Sequence, residues 1–192
     1  LRLAVRLAEE LSRAGIASLR IDFRGSGDSE GVFADTTIQT QFEDAKIGLQ
    51  DLLSLPNIDT DMIAIMGRSL GGALATHLAA ITPGVKGVAL WCPLFDAAPW
   101  VQKQKNGIKN FHFLGQTLSP VCIEQFAAID TRTPMKKLDA VPMLVVRACK
   151  DEVVTSYHDQ EYHKARKNCP TTYLELPESN HDCTHVPEQQ LL

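Results

Sequence analysis

The chain has 192 residues, 44% of them hydrophobic and 22% charged, which fits one globular domain with a real core. Its net charge of −4 leaves no basic footprint for nucleic acid or an anionic membrane, and no apolar run nears the roughly 20 residues of a bilayer span. Five cysteines, Cys92, Cys122, Cys149, Cys169 and Cys183, are scattered and odd in number, so they read as free thiols of a cytoplasmic protein rather than a disulfide framework.

Leu3, Leu7 and Leu11 recur at four-residue spacing with Ala4, Val5 and Ala8 beside them, while the charges lie mostly elsewhere. That pattern predicts an amphipathic helix over 1–14, stopped by Gly15. Ile16 to Phe23 reads as a strand. Residues 22–29 follow as Asp-Phe-Arg-Gly-Ser-Gly-Asp-Ser. They lack the Lys-Ser/Thr ending of a P-loop and the full dinucleotide fingerprint, and so read as a tight turn stiffened by short polar side chains. A second helix is expected over 35–55, carried by Ile38, Phe42, Ala45, Leu49, Leu52 and Leu53 and ended by Pro56.

Met62 to Met66 is an apolar strand, and Gly67-Arg68-Ser69-Leu70-Gly71-Gly72 follows it directly before a helix expected through Ala80. A serine with glycines two before and two after it, between strand and helix, is the pattern of a nucleophile elbow. The sharp turn strains the serine backbone and lifts its hydroxyl clear of the sheet, and the helix N-terminus favours negative charge beside it. The residues flanking such a turn are expected to approach too closely for a Cβ.

Gly87 to Trp91 is the next strand, with Cys92 after it as a buried structural cysteine. Residues 96–138 break the rhythm and read as an insertion over the strand edge, a small cap, within one domain spanning 1–192. Met143 to Val146 forms a strand, Tyr157 to Lys167 a helix and Thr171 to Leu176 a last strand. Strands alternating with helices, several apolar throughout, predict an α/β fold. The expected form is a three-layer α/β/α sandwich on a mostly parallel sheet, with all strand C-termini on one edge.

A serine hydroxyl needs a base to take its proton and a third group to orient that base. The order Ser, acid, His is available on that edge. Ser69 comes first, Asp151 follows the 143–146 strand and His181 follows the last strand. Glu152 and Asp159 compete with Asp151. His181 stands in Ser179-Asn180-His181-Asp182-Cys183-Thr184-His185, which could also supply metal ligands. A closed site wants about four ligands, however, and no second Cys/His pair stands elsewhere in the sequence to complete it. His77, inside the helix after the elbow, reads as a packed or partly exposed helix residue, and His112, His158 and His163 have no supporting context.

Taken together, the 22–31 loop, the Ser69 elbow, Lys150-Asp151-Glu152-Val153-Val154 and the 179–183 segment resemble the α/β-hydrolases. The resemblance is to the serine aminopeptidase-like group and its cinnamoyl (feruloyl) esterase-like branch. It covers nearly the whole chain. It implies Ser69 as nucleophile, Asp151 as acid, His181 as general base and the Leu70 amide as one oxyanion donor. The fold would then carry further strands upstream of Leu1, and the second oxyanion donor would sit in a His-Gly loop there. Two positions depart from the pattern: Ala148 stands where a glycine commonly begins the acid turn, and Thr155 where a proline is common. The implied reaction is acyl transfer from a small-molecule carboxylic ester, needing no metal or organic cofactor, no nucleic acid and no membrane. Peptidase, thioesterase and acyltransferase chemistry would use the same three residues, and a non-catalytic binding protein could share the fold.

Overall fold

The computed structural model describes residues 2–103, 112–113 and 116–185. The first helix, α1 (Arg2–Arg13), matches the leucine spacing, and α2 (Ile38–Ser54) follows a single 3-10 turn at Phe33–Asp35. The α2 start is set by a reciprocal cap. The Thr37 hydroxyl accepts from the Thr40 amide at 3.0 Å, and the Thr40 hydroxyl accepts from the Thr37 amide at 2.9 Å. This satisfies two otherwise orphaned donors and starts the helix at Ile38, three residues later than hydrophobic spacing alone suggests.

Then come β1 (Ile63–Arg68), α3 (Leu70–Ala79), β2 (Val85–Trp91), α4 (Ala98–Lys103), β3 (His112–Phe113), β4 (Gln116–Thr117), α5 (Pro120–Ala127) and α6 (Arg132–Lys136). The described chain closes with β5 (Met143–Ala148), α7 (Ser156–Ala165) and β6 (Thr171–Leu176). Four strands form one parallel sheet in the order β1-β2-β5-β6, and β3 pairs antiparallel with β4 in a two-residue hairpin.

The pleat alternates core residues between two faces. Val88, Leu90, Met143 and Val145 pack with Ala75 and Ala79 of α3 and Tyr162 of α7. Trp91, Val146 and Leu176 pack on the other side, where Leu7 of α1 meets them. Helices thus cover both faces, and the fold is α/β with a parallel sheet, as the apolar strands predict.

The 16–23 segment is a correction: it forms no strand. A strand exists only through its ladder, and this segment has no paired neighbour among the described residues. Ile16 is 53% exposed, while the Ile21 and Leu19 side chains lie on Gly48 of α2, where a Cβ would stand 3.0 Å from Ile21 Cγ2. The adjoining loop stitches itself together. The Asp22 carboxylate accepts from the Asp28 amide, the Ser29 hydroxyl donates to the Asp22 carbonyl, and Arg24 anchors to Asp44 of α2. It is a self-bonded turn rather than a phosphate cradle.

The excursion between β2 and β5 leaves and returns at one neck. Asp96 and Asp130 form an antiparallel bridge, Ala97 N donates to Ile129 O, and Thr131 N donates to Phe95 O. Arg132 braces the neck, donating to buried Asp96 at 2.6 Å and to Glu161 of α7 at 3.2 Å. Beyond it, Trp100 of α4 meets Phe126 of α5 edge to face, with centroids 4.9 Å apart. Residues 104–111 and 114–115 of the expected 96–138 insertion, and 1 and 186–192 of the expected 1–192 domain, lie outside the described residues.

Candidate active site

Because the four sheet strands are parallel, their carboxyl ends share one edge, and each delivers at least one group there: Ser69 after β1, Cys92 after β2, Asp151 after β5, and His181 and Cys183 after β6. Sequence distances of 82 and 30 residues collapse into one cluster in this way.

Ser69 sits at φ 55°, ψ −124°, a region that costs a side-chain-bearing residue about 1–3 kcal/mol. Three backbone bonds hold it there. Ser69 N donates to Trp91 O at 2.8 Å, and Ser69 O accepts from Leu94 N at 3.0 Å and Gly72 N at 2.9 Å. The elbow glycines divide their roles differently from the sequence expectation. A Cβ on Gly67 would overlap the Gly71 carbonyl, 2.5 Å from its carbon, and stand 2.8 Å from Ala75 Cβ. A Cβ on Gly71 would meet nothing within 4 Å, whereas one on Gly72 would stand 2.7 Å from Pro93 Cβ. The close approach is therefore felt at Gly67 and Gly72, and Gly71 contributes its backbone.

The Ser69 hydroxyl lies 3.0 Å from His181 Nε2, and His181 Nδ1 lies 2.7 Å from Asp151 Oδ2. The second carboxylate oxygen, Asp151 Oδ1, accepts from the Val153 and Val154 amides, each at 2.8 Å. Those bonds aim Oδ2 at the imidazole. The Asp151 side chain is 3% exposed and that of His181 16%, so the acid–base pair is shielded, and Ser69 is half-buried. Leu70 is the first residue of α3, so its amide is among the first-turn donors without an intrahelical partner.

The competing acids turn elsewhere. Glu152 is exposed, and Asp159 pairs with Arg147 at 3.3 Å and His163 at 3.6 Å. His163 stacks on Tyr173. His158 is buried, and its Nδ1 accepts from the Phe95 amide at 3.2 Å; burial holds its imidazole below the ordinary histidine value. Burial lowers His77 in α3 as well.

One contributor was missed by the sequence reading, and another has a neighbourhood that it did not give. Arg68, next to the serine, donates to the His181 carbonyl at 2.6 Å and to Asp182 Oδ1 at 2.7 Å. Its guanidinium holds the Asp182 carboxyl below the usual carboxylate value. Nothing in the motif signals this, since the residue between glycine and serine is sterically free. The other is Cys92, which is buried as expected at 3% exposure but stands beside the relay. Its thiol comes within 4.8 Å of ligand atoms of both Asp151 and His181. It also shares a hydrogen bond with Cys183, which together with burial pushes the Cys92 thiol up. The 179–185 segment therefore does not gather its own titratable groups around one point: Asp182 turns to Arg68 and Cys183 turns inward to Cys92.

A parallel sheet with helices on both faces, an elbow serine and an imidazole–carboxylate pair at the strand ends define an α/β hydrolase. Residues 2–124 match the family model described as serine aminopeptidase, S33, and the chain belongs to that family, as the motif resemblance implies. The match ends before Asp151 and His181, whose placement comes from the fold. Est1E from Butyrivibrio proteoclasticus, solved with ferulic acid bound, superposes with a TM-score of 0.85 at 21% identity, covering 100% of this chain and 80% of that one. Among curated proteins, the α/β hydrolase domain-containing protein WAV2 of Arabidopsis thaliana is 26% identical over 84% of this chain and 53% of its own length. The 2,6-dihydropseudooxynicotine hydrolase of Paenarthrobacter nicotinovorans is 28% identical over 76% of this chain and 39% of its own. The chain thus spans about half or less of the curated relatives it matches. Among the described residues no helix is long and apolar enough to cross a membrane.

Proposed function

We propose that this hydrolase cleaves carboxylic esters through an acyl-enzyme, with Ser69 as nucleophile, His181 as general base and Asp151 as its orienting acid. The observation that carries the reading is the continuous relay from Ser69 Oγ to His181 Nε2 at 3.0 Å and from His181 Nδ1 to Asp151 Oδ2 at 2.7 Å. Asp151 fixes the tautomer with its proton on Nδ1, leaving the Nε2 lone pair to take the serine proton as the C–O bond forms. The imidazolium then returns that proton to the leaving alkoxide. Water, deprotonated by the same nitrogen, releases the acid and regenerates Ser69. The Leu70 amide donates to the tetrahedral oxyanion, where a single donor is typically worth about 10²–10³ in turnover.

The substrate we assign is a small ester, and the 96–138 insertion is its cap. Est1E, carrying ferulic acid in its solved structure, supports the ester class. The five free thiols support a reducing, cytoplasmic setting. A fluorophosphonate probe tests the nucleophile: it should label the parent chain, and Ser69→Ala should abolish labelling. Labelling that survives Ser69→Ala overturns the assignment. Hydrolysis of p-nitrophenyl acyl esters, set against aminoacyl p-nitroanilides, tests the substrate class. Faster turnover of the anilides would make the chain a peptidase on the same relay.

A further inference from the structure

The strand ends assemble a second set of ligands around the same carboxylate. Cys92 Sγ, an Asp151 carboxylate oxygen and a His181 ring nitrogen lie within 4.8 Å of one another. Cys92 is 3% and Cys183 2% exposed, and both belong to the cluster formed by Trp91, Val146, Ala148 and Leu176. Cys183 stands beside the group, hydrogen-bonded to Cys92. Behind Cys92 and Asp151 lies a cavity of about 20 Å³, room for about one water.

We infer that Cys92, Asp151 and His181 form an inhibitory site for a thiophilic divalent cation of the zinc class. Sulfur, imidazole and carboxylate are the donors zinc takes, at about 2.3 Å for sulfur and about 2.0 Å for nitrogen and oxygen. Tetrahedral ligands at those lengths stand about 3.5 Å apart, so side-chain movements of about an ångström close the site. Soft thiolate and imidazole select against magnesium and calcium.

The ion occupies the place of the proton between His181 Nδ1 and Asp151. The Cys92 thiol releases its proton to water as the metal–sulfur bond forms, and the imidazole keeps its single proton by moving it from Nδ1 to Nε2. No electron is transferred. An imidazole with Nε2–H can only donate toward Ser69, so it no longer accepts the serine proton. The site rests on side-chain placement and not on the reaction assigned above; the loss of turnover is its consequence.

Cadmium is the probe, because its thiolate complexes absorb in the ultraviolet independently of catalysis. The titration uses the full chain in a Cys149→Ser, Cys169→Ser background with a phosphine reductant, which removes signal from the more exposed thiols and keeps the others reduced. One equivalent should saturate a cadmium–thiolate band, and a chelator should reverse it. Cys92→Ser and His181→Gln should each weaken binding at least about tenfold. Nitrogen-15 NMR should show His181 moving to the Nε2–H tautomer as the band grows. No band in the parent chain, or a band of unchanged affinity in Cys92→Ser, overturns the site. Should Cys92→Ser fail to fold, Cys92→Ala carries the same comparison. Ester turnover, read against each variant's own metal-free rate, should fall with the band. An inactive parent chain that still binds cadmium would refute the proposed function and leave the metal site standing.

Discussion

Arg68 donates to the carbonyl oxygen of His181 at 2.6 Å, so the residue preceding the elbow serine holds the loop that carries its base. The same nitrogen reaches Asp182 Oδ1 at 2.7 Å. β1 and β6 lie at opposite edges of the four-stranded sheet, and this contact ties their ends together above the strands between them. The His181 loop is fixed a second time by its own backbone, where Cys183 N donates to Asn180 O at 2.9 Å and Lys150 N donates to Ser179 O at 2.9 Å.

Arg68→Ala should therefore lower kcat on p-nitrophenyl esters about tenfold, about 1.4 kcal/mol of barrier, with KM little changed. Asp182→Ala should cost less, because the bond to the His181 carbonyl survives it. Steady-state kinetics of both variants make the comparison, and an equal loss would place the effect on the carboxylate instead.

Asp151→Asn should keep the fold and lose about 10⁴ in kcat. The asparagine carbonyl can still accept from the Val153 and Val154 amides, which leaves an NH₂ group facing Nδ1. That favours the tautomer with its proton on Nε2, the wrong nitrogen for the serine. Circular dichroism to check folding, with turnover measured beside it, separates this from simple unfolding.

The two elbow glycines should respond oppositely. Gly67→Ala drives a methyl into the Gly71 carbonyl and toward Ala75, which are backbone and packed helix that cannot give way. It should destabilise by more than about 3 kcal/mol or prevent folding. Gly71→Ala meets nothing within 4 Å and sits in α3, so it should be neutral or stabilising by up to about 1 kcal/mol. Urea unfolding midpoints measure both.

Stability should fall on acidification through the histidine range. His158 has its imidazole lowered chiefly by burial, and its Nδ1 must stay unprotonated to accept from Phe95. The unfolded chain takes up a proton near pH 6.5 while the folded chain does not. This stabilising contribution is thus full above about pH 6.5 and is lost as the pH falls from there through the lower folded value. Each unit between the two values is worth about 1.4 kcal/mol. Urea midpoints at pH 7.5 and pH 5.5 should converge more for His158→Gln than for the parent chain.

The elements were legible wherever local physics decides them. Leucine spacing places α1, an unbroken apolar run places β5, and the glycine-flanked serine marks the turn from β1 to α3. The chain also carries Ser69, Asp151 and His181 in an order that a parallel sheet can gather. The strand expected over 16–23 failed because its apolar residues say only that it prefers to be extended. Pairing is a property of a neighbour, and none stands beside it among the described residues.

By itself the sequence determined the fold class, the family and which side chains could form a relay, because propensity, periodicity and motif spacing act over short stretches of chain. Only the tertiary structure decided the rest. It set the β1-β2-β5-β6 order that slips Cys92 between Ser69 and Asp151. It gave Arg68 its partner 113 residues away, and moved the steric demand of the elbow from Gly71 to Gly72. The physical reason is common to all three: each depends on which strand ends share an edge and how closely their loops pack. That is fixed by the packing of the sheet and its helices, not by any residue's neighbours along the chain.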